Sequence, residues 1–467
     1  MKISNICCIG AGYVGGPTMA VIALKCPEIK VNVVDVNSEK ISAWNSNDLN
    51  KLPIYEPGLK EIISKTRNKN LFFSNDIENN IEKSDIIFMA VNTPTKTYGE
   101  GKGMAADLTY VESCARQIAK FSKTNKIVVE KSTLPVRTAE KIKEVLSENN
   151  KKVKFEVISN PEFLAEGTAI QDLYKSDRVL VGGEDTIAGN EAVNAVVSIY
   201  KRWIPTKKIL TTNVWSSELS KLASNAMLAQ RISSINSLSS LCEKTGADID
   251  EVSLAIGMDS RIGPKFLKTS VGFGGSCFKK DILNLVYLSK YYGLEEVAEY
   301  WHQVVKINDY QKSRFVKKII NGLNGTVNNK KVSILGWAFK KNTNDSRESA
   351  SISVADQLIS EGADIHIYDP MVKENQIIKD LVDLWNYREI KKSSIKKKLL
   401  KVSVHVNRQK CLLNSHAVAI LSEWDEFINY NWNNIEKKLI KPIRVFDGRN
   451  ILDENKIDFK VNFLGKN

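Results

Sequence analysis

The stretch Ile6-Cys7-Cys8-Ile9-Gly10-Ala11-Gly12-Tyr13-Val14-Gly15 constrains this chain more than any other. A short apolar run reads as a strand, the Gly-x-Gly-x-x-Gly spacing follows at once, and a helical apolar pattern continues beyond it. Gly10 permits a tight turn, Gly12 lets backbone approach a ligand, and Gly15 allows the helix to pack closely. The helix N-terminus then attracts an anion through its N–H groups. Taken alone, the glycine spacing often means only tight packing. Here a second strand ends in Val33-Val34-Asp35, about 20 residues past Gly15, where an acid can bind ribose hydroxyls. The two features together predict a dinucleotide site, and Asp35 would repel a 2′-phosphate, which favours NAD over NADP.

Short β-branched runs alternate with helical patterns through the first two hundred residues, as in a parallel sheet wrapped by helices. Candidate strands are Asn5–Ile9, Val31–Val34, Ile86–Val91, Ile127–Glu130, Phe155–Ile158 and Val179–Val181. Between Trp215 and Thr245 there is neither glycine nor proline. Leu219, Leu222, Ala226, Ala229, Ile232, Ile235, Leu238 and Leu241 recur there with the period of one helix, roughly 45 Å long at about 1.5 Å per residue. Such a helix serves either as an internal spine or as a surface for self-association. After Asn328-Asn329 the α/β pattern restarts with strand Lys331–Leu335, Gly336, helix Ser349–Ser360, strand Ile365–Tyr368 and Asp369, a degenerate echo of the first unit. The expected fold is α/β, with two Rossmann-like doubly wound parallel-sheet domains joined by a long central helix in a helical domain. The boundaries we expect are 1–212, 213–325 and 326–467.

A chain of 467 residues, 43% hydrophobic, divides into two or three domains with ample core. Its formal charge of +13 suits nucleic acid, an anionic membrane surface or phosphate-bearing substrates. Part of the excess lies in Lys391, Lys392, Lys396, Lys397, Lys398 and Lys401, within a lysine-rich stretch at 386–409; no aromatic residues interleave these lysines, so a solvated face is expected rather than nucleic-acid binding. Seven cysteines, scattered at 7, 8, 26, 114, 242, 277 and 411, have neither disulfide-framework nor metal-ligand spacing. We expect no metal and a reducing compartment. The apolar run from Ile6 to Leu24 is broken by the glycines of the fingerprint and by Pro17, so it is not read as a signal peptide, and a cytoplasmic location is expected.

The segment Gly272-Phe273-Gly274-Gly275-Ser276-Cys277-Phe278-Lys279-Lys280-Asp281 carries the chemistry. Three glycines free the backbone to approach a ligand, Ser276 can cap the following helix, and Cys277 then falls in that helix's first turn. Helix dipole, Lys279 and Lys280 would favour a thiolate there. Asp281, four residues on, shares the same helix face and can take a proton. An ordinary buried cysteine is the bland alternative. Lys221 and Asn225, also four apart on the long helix, read either as a solvated pair or as donors to a developing oxyanion.

These motifs together resemble the UDP-glucose 6-dehydrogenase family, within the wider group of sugar-nucleotide dehydrogenases. The likeness runs from Ile6 to about Arg449 and rests on residues 10–17, Val91-Asn92-Thr93-Pro94-Thr95, Glu130-Lys131-Ser132-Thr133, 160–167, the Lys221/Asn225 helix, the Cys277 loop, Phe339-Lys340 and Arg347-Glu348-Ser349. The resemblance implies an NAD-dependent four-electron oxidation of UDP-glucose through a thiohemiacetal and a thioester on Cys277. Lys221 and Asn225 would stabilise oxyanions, Asp281 and a water near Thr133 would handle protons, and Glu162 would assist proton transfer or hydrolysis. For the cofactor the resemblance points to Gly10, Gly12, Tyr13, Val14, Gly15, Asp35, Lys40, Val91, Asn92, Thr93, Ser132, Thr133, Glu166, Lys280 and Arg347. For the substrate it points to Glu162, Phe163, Leu164, Lys221, Asn225, Arg261, Phe266, Lys268, Phe273, Cys277, Phe339, Lys340 and Arg449. It also implies a homo-oligomer, at least a dimer and up to a hexamer built from dimers. A dehydrogenase of GDP-mannose or a UDP-N-acetylhexosamine is the alternative; a one-step 3-hydroxyacid type would need no thiol.

Overall fold

The structure, a computed structural model, describes residues 3–466. Two compact units emerge, one made of Met1–Ser224 with Leu283–Tyr292 and one of Asn225–Ile282 with Gly293–Asn467.

The first unit is built on eight strands, β1 (Asn5–Ile9), β2 (Lys30–Val34), β3 (Leu71–Ser74), β4 (Ile86–Met89), β5 (Lys126–Glu130), β6 (Phe155–Ser159), β7 (Val179–Gly183) and β8 (Ile209–Asn213). They lie in the order β3-β2-β1-β4-β5-β6-β7-β8. Every neighbouring pair is parallel except β6 and β7, which meet antiparallel at Ser159 and Gly182, so the sheet departs there from the all-parallel expectation. Both faces are covered, and successive residues show it: Ile6 and Cys8 pack into one core, Cys7 and Ile9 into the other. That is why these strands read as near-continuous apolar runs. The sequence pattern misses β3, which is short, and β8, which is mostly exposed.

Helices follow the strands: α1 (Gly15–Lys25) after β1 and α2 (Thr138–Asn149) after β5. The predicted long helix is α3, Val214–Thr245, 32 residues. It is followed by α4 (Phe278–Tyr291) and α5 (Glu295–Gly322).

The second unit repeats the winding with β9 (Lys331–Leu335), β10 (Asp364–Tyr368), β11 (Val402–Val404), β12 (Ala417–Ile420), β13 (Val445–Asp447) and β14 (Val461–Phe463), in the order β11-β10-β9-β12-β13-β14. Both sheets reverse direction beside their first strand, which is where doubly wound sheets place ligands. The echo of the first unit extends to detail. Asp35, past β2, accepts from the Ala11 N–H at 2.9 Å, and Asp369, past β10, accepts from the Trp337 and Ala338 N–H groups at 2.6 and 2.9 Å.

The lysine-rich stretch forms a helix, Lys392–Leu399, anchored by buried Ile395. Lys398 turns inward to Asp356 at 3.0 Å, and Lys401 pairs with Asp364 at 3.0 Å. Among the described residues no helix is long and apolar enough to cross a membrane.

Trp44 holds the fingerprint turn from behind. It is fully buried, donates from its indole N–H to the Ala11 carbonyl at 3.0 Å, and stacks on Phe73 at 4.6 Å. A methyl on Gly16 would lie 2.3 Å from its ring, so the glycine after the fingerprint is also required. Trp44→Ala should therefore lower stability by about 3–5 kcal/mol in urea unfolding.

Candidate functional site

On the cofactor side, the glycines divide their work as the spacing predicts. Gly10 has φ +113°, and a Cβ there would stand 2.3 Å from the Ala90 carbonyl oxygen. At Gly15 a Cβ would lie 2.0 Å from the Gly10 oxygen, so helix and turn touch through backbone. Gly12 differs: no other atom lies within 4 Å of its Cβ position. Tyr13 and Val14 are half-buried beside it, and α1 has neither a side-chain cap nor an acidic residue in its first turn. An open glycine before an uncapped helix N-terminus fits a pyrophosphate.

Asp35 accepts from the N–H groups of Ala11 and Asn37, and from Lys40 Nζ at 2.9 Å. Burial would raise its carboxyl, but these bonds outweigh that and hold it below the usual range. A carboxylate has about four lone-pair sites, which leaves room for ribose. Lys40, expected to touch the cofactor, is held on this carboxylate.

The next expected group converges at the ends of β4 and β5. Ser132 Oγ donates to the Val91 carbonyl at 2.6 Å, and Thr93 Oγ1 donates to the Thr133 carbonyl at 3.2 Å. Asn92, between them, is exposed. Glu166 is half-buried in a turn that Glu56 fixes through the Gly167 and Ala169 N–H groups at 2.6 and 3.2 Å; the sequence reading missed Glu56.

Glu162 sits in a buried network whose Lys131, Asn160 and Tyr200 were not among the expected site residues. Its carboxylate pairs with Lys131 at 2.9 Å and accepts from the Phe163 and Leu164 N–H groups at 2.8 and 2.9 Å. Lys131 also donates to Asn160 and Tyr200, at 3.2 and 3.3 Å. Burial alone would lower the Lys131 ammonium, but Glu162 and Tyr200 overcome it and push it up to about 12. Burial likewise works against ionised Glu162, yet Lys131, and then Lys221, hold its carboxyl below the ordinary range. Lys221 is itself buried, 5.1 Å from the centre of the Phe163 ring, whose face also carries the Arg178 guanidinium at 3.9 Å. Nothing in the Lys131 motif alone marked it as the partner of a residue 31 positions away.

In the second unit, the cysteine loop is strapped by three amides that sequence reasoning missed. Asn308 accepts from the Phe273 N–H at 2.8 Å and donates to its carbonyl at 3.0 Å. Gln311 donates to the Ser270 carbonyl at 2.8 Å, and Asn236 accepts from Thr269 Oγ1 and the Ser270 N–H, each at 2.9 Å. Gly272 has φ +125°, and a Cβ on it would meet Asn308 at 2.7 Å.

Cys277 is corrected by one position. Helix α4 begins at Phe278, and the Cys277 carbonyl accepts the first helical bond, from the Asp281 N–H at 2.9 Å. The thiol therefore sits at the N-cap rather than in the first turn, and Ser276 is not the cap; its hydroxyl lies 3.5 Å from the sulfur. Cys277 is exposed, whereas the other six cysteines are buried. Lys279, expected to act on the sulfur, is salt-bridged to Glu348 at 2.9 Å. Asp281 is buried, accepts from Asn225 Nδ2 at 2.6 Å, and lies 3.3 Å from Lys280 Nζ.

Of the expected substrate residues, Phe273, Phe339 and Arg449 come together with the cofactor candidate Arg347. The Gly275 N–H bonds the Arg347 carbonyl at 2.8 Å, and a Cβ on Gly275 would strike the Phe339 ring at 2.9 Å. Arg449 donates to the Phe339 and Leu421 carbonyls, and Lys340 Nζ lies 5.4 Å from the Phe339 ring centre. Phe273 packs edge-on against Phe278. Lys268 is exposed and draws the buried Asp447 carboxyl down, against the larger effect of burial.

Arg261 and Phe266 stand apart on an exposed loop, where Arg261 is salt-bridged to Asp259 at 2.6 Å. Phe266 holds φ +64°, a strained value for an aromatic residue. Arg231 secures that loop by donating to the Ile262, Gly263 and Lys265 carbonyls at 2.9, 2.7 and 2.9 Å.

Comparison with known proteins matches three models described as the UDP-glucose/GDP-mannose dehydrogenase family: its NAD binding domain at 4–204, its central domain at 215–310 and its UDP binding domain at 333–454. The chain is 57% identical over 466 residues to a UDP-glucose 6-dehydrogenase of Drosophila melanogaster, covering 99% of this chain and 96% of that one. It is 56% identical over 469 residues to UDP-glucose 6-dehydrogenase 1 of Glycine max, covering 99% and 97%. Among solved structures, a UDP-glucose dehydrogenase from the archaeon Pyrobaculum islandicum matches with a TM-score of 0.81 at 29% identity, covering 99% of this chain and 97% of that one. The open glycine turn, the Asp35 carboxylate and the exposed cysteine loop thus sit within a full-length match, and the chain belongs to the UDP-glucose/GDP-mannose dehydrogenase family.

Proposed function

We propose that the chain oxidises UDP-glucose to UDP-glucuronate in two successive steps through a thioester on Cys277. The single observation that carries the chemistry is that this sulfur, of seven, is the exposed one, set at a helix N-terminus on a glycine loop. The family relatives carry the choice of substrate, and favour it over GDP-mannose or a UDP-N-acetylhexosamine.

When bound, NAD supplies the hydride acceptor for both oxidations. The residues that would hold it are the Gly10–Gly15 turn, Asp35, Val91–Thr93, Ser132 and Thr133. The alcohol carbon first loses a hydride and its hydroxyl a proton, and the Cys277 sulfur adds to the resulting aldehyde. Loss of a second hydride leaves a thioester, which water cleaves to release the carboxylate and return the thiolate. A covalent anchor keeps the reactive aldehyde in place between steps. Asn225, with one N–H on Asp281, has a second to offer an oxyanion, and Lys221 brings a buried positive charge. Asp281 is assigned the proton at the hydroxyl. Glu162, held ionised by Lys131, orients water or substrate as a carboxylate. Arg449, Lys340 and Lys268 suit the diphosphate and sugar.

Leu219, Met227, Leu238 and Leu241 are exposed along α3, which supports self-association into a dimer or a larger assembly of dimers. An exposed nucleophilic thiol suits a reducing location such as the cytoplasm.

Two NADH should appear per UDP-glucose consumed, read by absorbance against product quantified chromatographically; a ratio of one would remove the second oxidation. Cys277→Ala should lower UDP-glucuronate formation by about three orders of magnitude or more. Parental rates of acid formation in that variant would exclude the thioester. Asp35→Ala should raise the KM for NAD about tenfold with the KM for UDP-glucose unmoved.

Glu162's lowered carboxyl stabilises the fold above the unfolded carboxyl pKa of about 4.3, and this contribution disappears as pH falls through its folded value. Lys131→Met should raise that carboxyl and cost about 3–5 kcal/mol near neutrality, and the deficit in the urea midpoint should shrink as pH falls and Glu162 takes up its proton.

A further inference from the structure

Beneath the expected cofactor loop lies a pair of carboxyls that the chemistry above does not use. Glu130, the last residue of β5, and Glu218, on α3, are 1% and 3% exposed. Among the described residues no donor reaches either oxygen of Glu130. Glu218, by contrast, accepts from the Arg137 N–H at 2.7 Å and the Ala139 N–H at 2.8 Å. Those amides belong to the start of α2, which has no side-chain cap of its own. Arg137 holds φ +74°, a strained conformation that the bond from its N–H to Glu218 helps impose. Glu218 thus caps a helix from 81 residues away.

Two buried carboxylates facing one another would repel with no donor between them, so one must carry a proton. The bonds decide which. Glu218 already receives two N–H groups and is the better anion; Glu130 receives none and becomes the neutral donor. Burial, then the neighbouring Glu218, push the Glu130 carboxyl well up; burial raises Glu218 too, to about 7, but its bonds from Ala139 and Arg137 work the other way. Other charges turn away from the pair: Arg137's guanidinium goes to Glu140 at 2.8 Å, and Lys131 to Glu162 at 2.9 Å. On β6 the Ser159 carbonyl accepts from Ser217, the residue before Glu218, at 3.2 Å.

Between Glu130 and the helix start runs the loop that carries Ser132 and Thr133. We propose that Glu130 and Glu218 hold one proton between them, and that Glu218, so held, is a positioning residue that fastens the start of α2 and with it the Ser132–Arg137 loop against the cofactor. This rests on the reading above that Ser132 and Thr133 face NAD. The pair acts on KM for NAD rather than on the chemical step.

Hydrogen exchange read by mass spectrometry on the full chain, with NAD kinetics in parallel, tests it. Glu218→Gln, which loses the anion and one acceptor, should speed deuterium uptake in peptides covering residues 133–142 and raise the KM for NAD about tenfold with kcat little changed. Glu130→Gln keeps a donor that cannot ionise. Between about pH 7 and about pH 10, with uptake corrected for the intrinsic base-catalysed rate, the parent should lose protection there while Glu130→Gln stays level. Unchanged uptake in Glu218→Gln, or the same pH response in parent and Glu130→Gln, overturns the proposal. Faster uptake in Glu218→Gln with an unmoved KM would support the fastening and sink instead the assignment of Ser132 and Thr133 to the cofactor.

Discussion

A carboxylate reaching back from the end of the second strand to the amides of the turn after the first is the contact on which each sheet's ligand edge depends. Asp35 does this to Ala11, Asp369 to Trp337 and Ala338. The turn itself is left-handed at Gly10 and at Gly336, where a side chain would collide with the neighbouring strand's exit. Without the carboxylate, N–H groups of the turn would be buried unpaired, and without the glycine the turn could not form. In each sheet the first turn, where a nucleotide is expected, is hung from one of these two points.

The same economy of means governs the reactive loop. Glycines free it to approach a ligand, and freedom of that kind must be removed elsewhere. Asn236, Asn308 and Gln311 remove it by bonding the loop's backbone, and they come from helices distant in sequence. The buried polar residues of the first unit work likewise: Lys131, itself held by Asn160 and Tyr200, keeps Glu162 ionised together with Lys221. A carboxylate fixed in this way orients rather than shuttles, which narrows the roles open to it.

What was legible in the chain follows from how local each signal is. The fingerprint, β1, β9 and the long helix each depend on short-range spacing, and the structure has them within a residue or two of their expected ends. Strands β3, β8 and β11 are short or exposed, so periodicity passes over them. The antiparallel entry of β7 leaves no local mark at all. Cys277 was placed one residue too deep because Ser276 looks like the better cap, whereas the backbone starts its helical bonding at the cysteine itself. Lys279 was read from proximity in sequence, but Glu348, 69 positions away, claims it. Partners separated by tens of residues, such as Lys131 with Glu162 or Glu218 with Ala139, are beyond any pattern in a single sequence.

The distribution of sulfur has one more effect. Six thiols are sealed inside the two units and one faces solvent. A thiol-selective electrophile diffusing up to the folded molecule meets Cys277 first, with no other exposed thiol to intercept it. On the proposed thioester route, modification of that thiol and loss of turnover are then the same event.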